Sequence, residues 1–324
     1  MQNQFCDGYS VGFGTFDEMR SYHEELSRES LWLRCAVREL RVMPVKSESA
    51  PWYGYAPCVS EDAVADTAQN LGLAVHVCGE AYPLRQTAWK SLLDRAKLSG
   101  SVLPKLSREK LADILNECFK LHGSDALALV RREKVSALHS GDESDYSVLP
   151  IDELLSTVSA KLNERFPGRV FVSGYTDHAL TGAEWTMPGQ HDELLKTYEA
   201  MLTARGKGAM AARLMPGIRF MTSDTGVSSA KVSAMLMGTQ YPIHIGGCVE
   251  VEHRHKSTVA DFELVMDQLF AQFTDSVVKL QKLLDIHLDY PVNAMTRVCK
   301  HLRLPKKAAL EAISMVGMAT GGAS

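Results

Sequence analysis

Apolar and polar positions change period several times along the 324 residues, and each change predicts an element. The plainest strand signal lies at residues 215–234. Pro216 and Gly217 turn the chain, and Ile218, Phe220 and then Val232 alternate with polar neighbours. Between them sits the polar tip Thr222-Ser-Asp-Thr-Gly-Val-Ser-Ser229. It offers hydroxyls, the Asp224 carboxylate and a glycine backbone, which suits either a hairpin turn or a ligand loop. After Tyr241 and Pro242 a further strand is predicted, running from Cys248 to His255.

Upstream, Thr15 with Glu18 three residues on reads as a capping box, opening a helix over residues 16–26. Residues 31–42 read as a strand or a buried helix. Residues 47–57 read as a loop with Trp52, Tyr53 and Tyr55 near its centre. A short helix from Ser60, a strand at 73–78, an amphipathic helix at 82–96 and a second helix at 108–121 follow. Residues 127–130 and 134–138 pair as a hairpin, with Arg131, Arg132 and Lys134 at the junction. A helix to about Arg165, a strand at 169–175, a loop or hairpin turn at 176–191 and a helix at 192–204 lead to the basic bend at Arg205 and Lys207. From residue 259 the period is helical, with one long helix and two shorter ones divided at Leu304-Pro305. The expected class is α+β: an antiparallel or mixed sheet flanked by helices, with a helical C-terminal tail. The expected organisation is an N-terminal segment (1–80) packed on an α+β core (81–258), then a helical region (259–324).

Three blocks, residues 84–116, 134–155 and 216–256, resemble the DUF932 type of phage- and plasmid-borne proteins. The first is a pair of helices around Leu103-Pro-Lys-Leu106. The second runs from a strand through Ser144-Asp-Tyr146 to the helix after Pro150. The third joins Pro216-Gly-Ile218 to the polar tip and to Glu250-Val-Glu-His-Arg-His-Lys256. Relatives of this type often carry Cys-x-Asn-Gly before the last strand, where this chain has His244-Ile-Gly-Gly247. The resemblance implies a mobile-element setting and DNA transactions, and no particular reaction.

Composition narrows the classes. Seven dispersed cysteines without CxxC spacing argue against a disulfide framework or a structural zinc site, and for a reducing cytoplasm. Residues 1–7 lack a basic start and an apolar run, so no signal peptide is expected. No window approaches the roughly eighteen consecutive apolar residues of a membrane span. The net charge of −4 excludes polyanion binding by bulk charge, but two segments are basic. Residues 202–231 carry Arg205, Lys207, Arg213, Arg219 and Lys231 against Asp224; residues 276–308 carry seven cations, among them Arg303, Lys306 and Lys307, against two aspartates. Such segments are either solvated faces or phosphate contacts.

The leading expectation is a non-enzymatic nucleic-acid-binding protein, acting on single-stranded DNA in recombination or annealing. Its phosphate contacts would be Arg205, Lys207, Arg219, Lys231, Lys256, Arg303, Lys306 and Lys307, and its stacking rings Trp52, Tyr53 and Tyr55. The tip residues Ser223, Asp224, Gly226 and Ser228 form the candidate ligand loop. No cofactor is expected, and a homo-oligomer and a host protein are the other partners considered. The alternative is a metal-dependent enzyme. In it His253 and His255, on one side of the predicted strand, would join His244 or Asp224 around zinc or manganese. A serine-hydrolase reading fails because Met221 and Thr225 stand where a nucleophile elbow needs glycines.

Overall fold

The computed structural model describes residues 3–45, 54–206, 214–238, 243–283 and 286–321. A six-stranded antiparallel sheet organises the larger half. Its strands are β1 (Ser10–Phe13), then β8 (Val170–Asp177), β9 (Thr181–Thr186), β10 (Met215–Thr222), β11 (Ala230–Met237) and β12 (Ile243–Val251), in that spatial order. The alternation expected around Ile218 holds. Ile218 lies between Trp185 and Ala234, and Phe220 between Ala183 and Val232, all facing one core. Residues 176–191, expected as a loop or hairpin turn, form the β8–β9 hairpin. Its turn is fixed by Asp177 Oδ1, which accepts from the N–H groups of Ala179 and Leu180.

Helices cover one face of this sheet. They are α1 (Phe16–Glu29), α5 (Ile151–Arg165) and α7 (Val259–Leu283), with α6 (His191–Ala204) near β10. The capping box that opens α1 is present: Thr15 Oγ1 accepts from the Glu18 N–H and the Glu18 carboxylate accepts from the Thr15 N–H. Along the other face run two cross-strand rows, Tyr175–Gly182–Met221–Lys231–Glu250 and Ser173–Glu184–Arg219–Ser233–Cys248.

A second core is built from two three-stranded antiparallel sheets. One has the order β2 (Leu31–Ala36), β6 (Asp125–Arg131), β7 (Lys134–Ser140); the other β3 (Arg41–Pro44), β4 (Leu73–Val77), β5 (Glu80–Pro83). Helices α2 (Glu61–Gln69), α3 (Ala88–Ala96) and α4 (Arg108–Lys120) complete it. Residues 31–42, ambiguous by period, form β2 and the start of β3 around one short 3-10 turn. The boundaries expected at 80 and 258 do not coincide with these cores. Leu73 and Leu84 share one, and Phe220 and Phe262 share the other. The chain ends in a helical hairpin, α8 (Pro291–His301) and α9 (Lys306–Ala319), packed mainly on each other. Among the described residues no helix is long and apolar enough to cross a membrane.

The N-terminal arm ties the two halves together. Asp7 accepts from Lys134 Nζ at 3.1 Å and from the Gln86 N–H at 2.7 Å, and its own N–H donates to Asp66. Arg85 donates to the carbonyls of Phe5 and Cys6, while His178, in the β8–β9 turn, donates from Nε2 to Cys6 O at 2.8 Å.

Candidate functional site

The polar tip between β10 and β11 is largely buried. β10 ends at Thr222, so Ser223 and Asp224 lie past the strand, and their side chains take separate partners. Ser223 Oγ accepts from the N–H groups of Thr225 and Val227, and Ser223 and Asp224 are 1% and 7% exposed. Gly226 sits at φ +75, a left-handed conformation that favours glycine. A side chain there would face His139 Cε1 at 3.5 Å. Ser228 is half-buried at the rim, bonded to the backbone of Ser229.

Asp224 is where the two halves meet. Its backbone carbonyl accepts from His139 Nε2 at 2.7 Å and from the Tyr146 hydroxyl at 2.9 Å. Its Oδ2 pairs with Arg131 Nη2, and Arg131 Nε donates to Ser30 Oγ at 3.1 Å. The rings of His139 and Tyr146 stack with centroids 3.5 Å apart, and His253 lies on the far side of Tyr146 at 5.6 Å, also parallel. Trp32 approaches both His139 and Tyr146 at 6.1 Å. These hydrogen bonds fix the tautomers. His139 carries its proton on Nε2 and leaves Nδ1 as an acceptor; His253 donates from Nδ1 to Ser147 O at 3.2 Å and accepts on Nε2 from Thr222. Burial pulls the His139 imidazole down to about 4 and lowers that of His253, so both rings are neutral near pH 7.

Around this column lie two cavities. A broad cleft of about 790 Å³ runs between α3 and the start of the 252–256 turn; Lys90, Arg95, Lys97 and Arg254 line it together with Asp94, Asp145, Glu250 and Glu252. Cations and carboxylates balance there, so it is no polyanion groove. A smaller cavity of about 190 Å³ lies behind Asp224, lined by His23, Trp32, Arg131 and Asp152.

The histidine set expected for a metal does not converge. β12 ends at Val251, opposite Ala230 where β11 begins, and so before either distal histidine; beyond it His255 and Lys256 adopt left-handed backbone at φ +60 and +59. His253 therefore turns into the core at 6% exposure and His255 into solvent, while His244 is exposed near the other end of β12, opposite Met235. Among the described residues no group of three or more His, Cys, Asp or Glu side chains is placed to hold a metal ion.

The expected phosphate contacts are dispersed. Arg219 donates to Glu184 from Nε at 2.7 Å, and Lys231 stands directly across from Glu250, so each faces a carboxylate on the open side of the sheet. Arg205 is exposed and donates to Met201 O at the end of α6; Lys256 is exposed beside Glu143, whose carbonyl its N–H meets. Lys207, Trp52 and Tyr53 lie outside the described residues, and Tyr55, expected in an exposed loop, is half-buried against the second core. Arg303, Lys306 and Lys307 do come together with Lys300 at the α8–α9 turn, all exposed.

Sequence reasoning missed Arg131, His139, Tyr146, Trp32 and Asp152 as site residues. Arg131 was visible at the hairpin junction and Tyr146 in the block after β7, but their partner Asp224 is 93 and 78 positions away. Comparison with protein-family models, with curated proteins and with solved structures gives no significant match.

Proposed function

We propose that this protein binds single-stranded nucleic acid without catalysing a reaction on it, as part of a phage- or plasmid-type element, and that the α8–α9 hairpin is its phosphate-binding part. One observation carries the reading. From Arg297 to Lys307 the chain has five cations and no carboxylate, although the whole molecule is at −4. Lys300, Arg303, Lys306 and Lys307 surround the turn, exposed, and none of them has a carboxylate partner among the described residues. Lys306 and Lys307 also occupy the first turn of α9, where the helix dipole is positive and free N–H groups point outward. Two cations there are electrostatically unfavourable until an anion arrives, and a phosphate is the anion such a terminus accepts.

A stacking ring is available on the open sheet face, where Tyr175 is 44% exposed. That face is near neutral because Glu184 and Glu250 oppose Arg219 and Lys231, so it supplies contact area and little counterion release. The test is fluorescence anisotropy with a labelled single-stranded oligonucleotide at 50 and 200 mM salt. Four phosphate contacts on a single strand predict an affinity loss of about 50-fold over that range. Replacing Lys300, Arg303, Lys306 and Lys307 by Gln should remove most of it. Absent binding, or binding indifferent to salt, would refute the reading.

A second reading has its own support. The same hairpin exposes Val298, Leu302, Leu310, Met315 and Met318, an apolar surface suited to a protein partner such as a host component. Binding of that kind would survive the glutamine substitutions and fail on Leu310→Asp.

A further inference from the structure

The small cavity behind Asp224 has features that the nucleic-acid reading does not use. It is lined by His23 and Ser27 of α1, by Ser30 just past that helix, by Trp32, Arg131 and Asp224, and by the Val148–Asp152 entry to α5. Two carboxylate oxygens, Asp224 Oδ1 and Asp152 Oδ1, are shielded from solvent and have no hydrogen-bond partner. Asp224 is 7% exposed, so a partner for its second oxygen has to sit within the cavity itself. A buried anionic acceptor without a donor is among the costlier arrangements a fold can hold.

The charges in the cavity specify what is missing. Arg131 is committed to Asp224 Oδ2 and Ser30 Oγ. His23 accepts or shares a proton with Thr176 and is neutral, since burial pulls it down to about 3. Two carboxylates against one guanidinium leave one negative charge. A dication would meet the fixed Arg131 charge and would find two carboxylates where calcium-type sites need more oxygen ligands. A monocation balances that one negative charge, and one with several N–H donors suits carboxylate oxygens on the lining. Trp32 adds an indole in the lining, a favourable neighbour for an ammonium group. At roughly 30 Å³ per water, 190 Å³ corresponds to about six waters, or a short alkyl chain with its ammonium head.

We infer that this cavity binds a small primary ammonium compound, its head group donating to Asp224 Oδ1 and Asp152 Oδ1 and its chain lying beside Trp32. The test uses n-propylammonium chloride, with sodium, magnesium and tetramethylammonium chlorides at equal ionic strength, on the full chain. Melting temperature and tryptophan fluorescence are read. The expected result is a saturable rise in melting temperature with propylammonium and none with sodium. Tetramethylammonium, which carries the charge but no N–H, should bind at least about tenfold more weakly. Asp152→Asn should lose the propylammonium response by a similar factor while melting cooperatively; Asp152→Ser serves if Asn does not fold. No saturable rise, a rise equal for sodium, a rise unchanged in both variants, or a rise with magnesium in place of propylammonium would each overturn the inference. Nucleic-acid binding by the hairpin is measured on other residues, so either proposal can fail alone.

Discussion

Replacing Asp7 by Asn probes the contact that joins the halves of the molecule. Arg85 and Lys134 have fully enclosed side chains, and Asp7 is 7% exposed at its side chain. The two cations face two carboxylates, Asp7 and Asp66. Asp7 Oδ1 is 3.1 Å from Lys134 Nζ and 3.7 Å from Arg85 Nη1, and Asp66 Oδ2 takes Lys134 as well. Asparagine preserves the shape and removes one charge, leaving two buried cations against one carboxylate. It also forces a choice at the amide. Its oxygen can accept from Lys134 or from the Gln86 N–H, which Asp7 Oδ2 now receives at 2.7 Å, but its NH2 cannot accept from either. Breaking a buried pair in this way costs about 3–5 kcal/mol. Against a typical total of about 5–15 kcal/mol that is a large fraction, and for a chain of 324 residues it lowers Tm by roughly 4–7 °C.

The assay is urea unfolding of the wild type, Asp7→Asn, Lys134→Met and the double variant. If the charge pair is the cause, the double variant is less destabilised than the two single costs summed, because removing Lys134 removes the cation that Asp7 was compensating. A cost below about 1 kcal/mol for Asp7→Asn, or strict additivity in the cycle, would refute the argument and leave the arm as a surface strap.

Acidification should destabilise the fold before the carboxylates titrate. Burial lowers His23 and His178 to about 3 and His139 to about 4, and lowers His253, whereas unfolded histidines titrate near 6.5. The unfolded chain therefore takes up protons first; this contribution is complete above about pH 6.5 and is lost as pH falls toward the folded values. Urea midpoints should drop from pH 7 to pH 5, and an unchanged midpoint would contradict the burial of these rings. Gly174→Ala should cost about 1–3 kcal/mol, because a Cβ there would lie 2.5 Å from Met19 Sδ and 3.1 Å from Phe171 Cζ, inside a packed core. Thermal melting checks it, and a neutral result would mean that β8 shifts away from α1.

What the chain revealed in advance follows the range of the interactions concerned. The capping box at Thr15, the hairpin of β6 and β7 and the alternation at Ile218 and Phe220 are local, and each appeared where its residues required. The end of β12 was misjudged because side-chain period continues through Val249, Val251 and His253, while the backbone of His255 and Lys256 turns left-handed against Ser144 and Glu143. The Asp224 site was half legible. Its polar tip was conspicuous, but the ring column depends on His139 and Tyr146 arriving from 85 and 78 residues away, which no local pattern encodes. Arg219 and Lys231 looked like phosphate contacts until strand pairing set Glu184 and Glu250 beside them.

That last contrast bears on the hairpin. Several cations that this chain encloses or half-encloses face a carboxylate: Arg131 has Asp224, Arg219 has Glu184, Lys134 has Asp7 and Asp66. Desolvation explains the matching, since an unpaired charge is costly inside and cheap outside. It gives no reason for the exposed stretch from Arg297 to Lys307 to lack acid, and helix electrostatics disfavours Lys306 and Lys307 where they stand. Lys307→Glu separates the two demands. It places an acid in the first turn of α9 and should leave stability equal or raise it by about 0.3–1 kcal/mol. The same change puts a negative charge in the proposed phosphate path and should weaken oligonucleotide binding while flattening its salt dependence. Melting and anisotropy on one preparation decide it. If stability falls along with binding, the cations serve the fold; if stability holds and binding falls, they serve a polyanion.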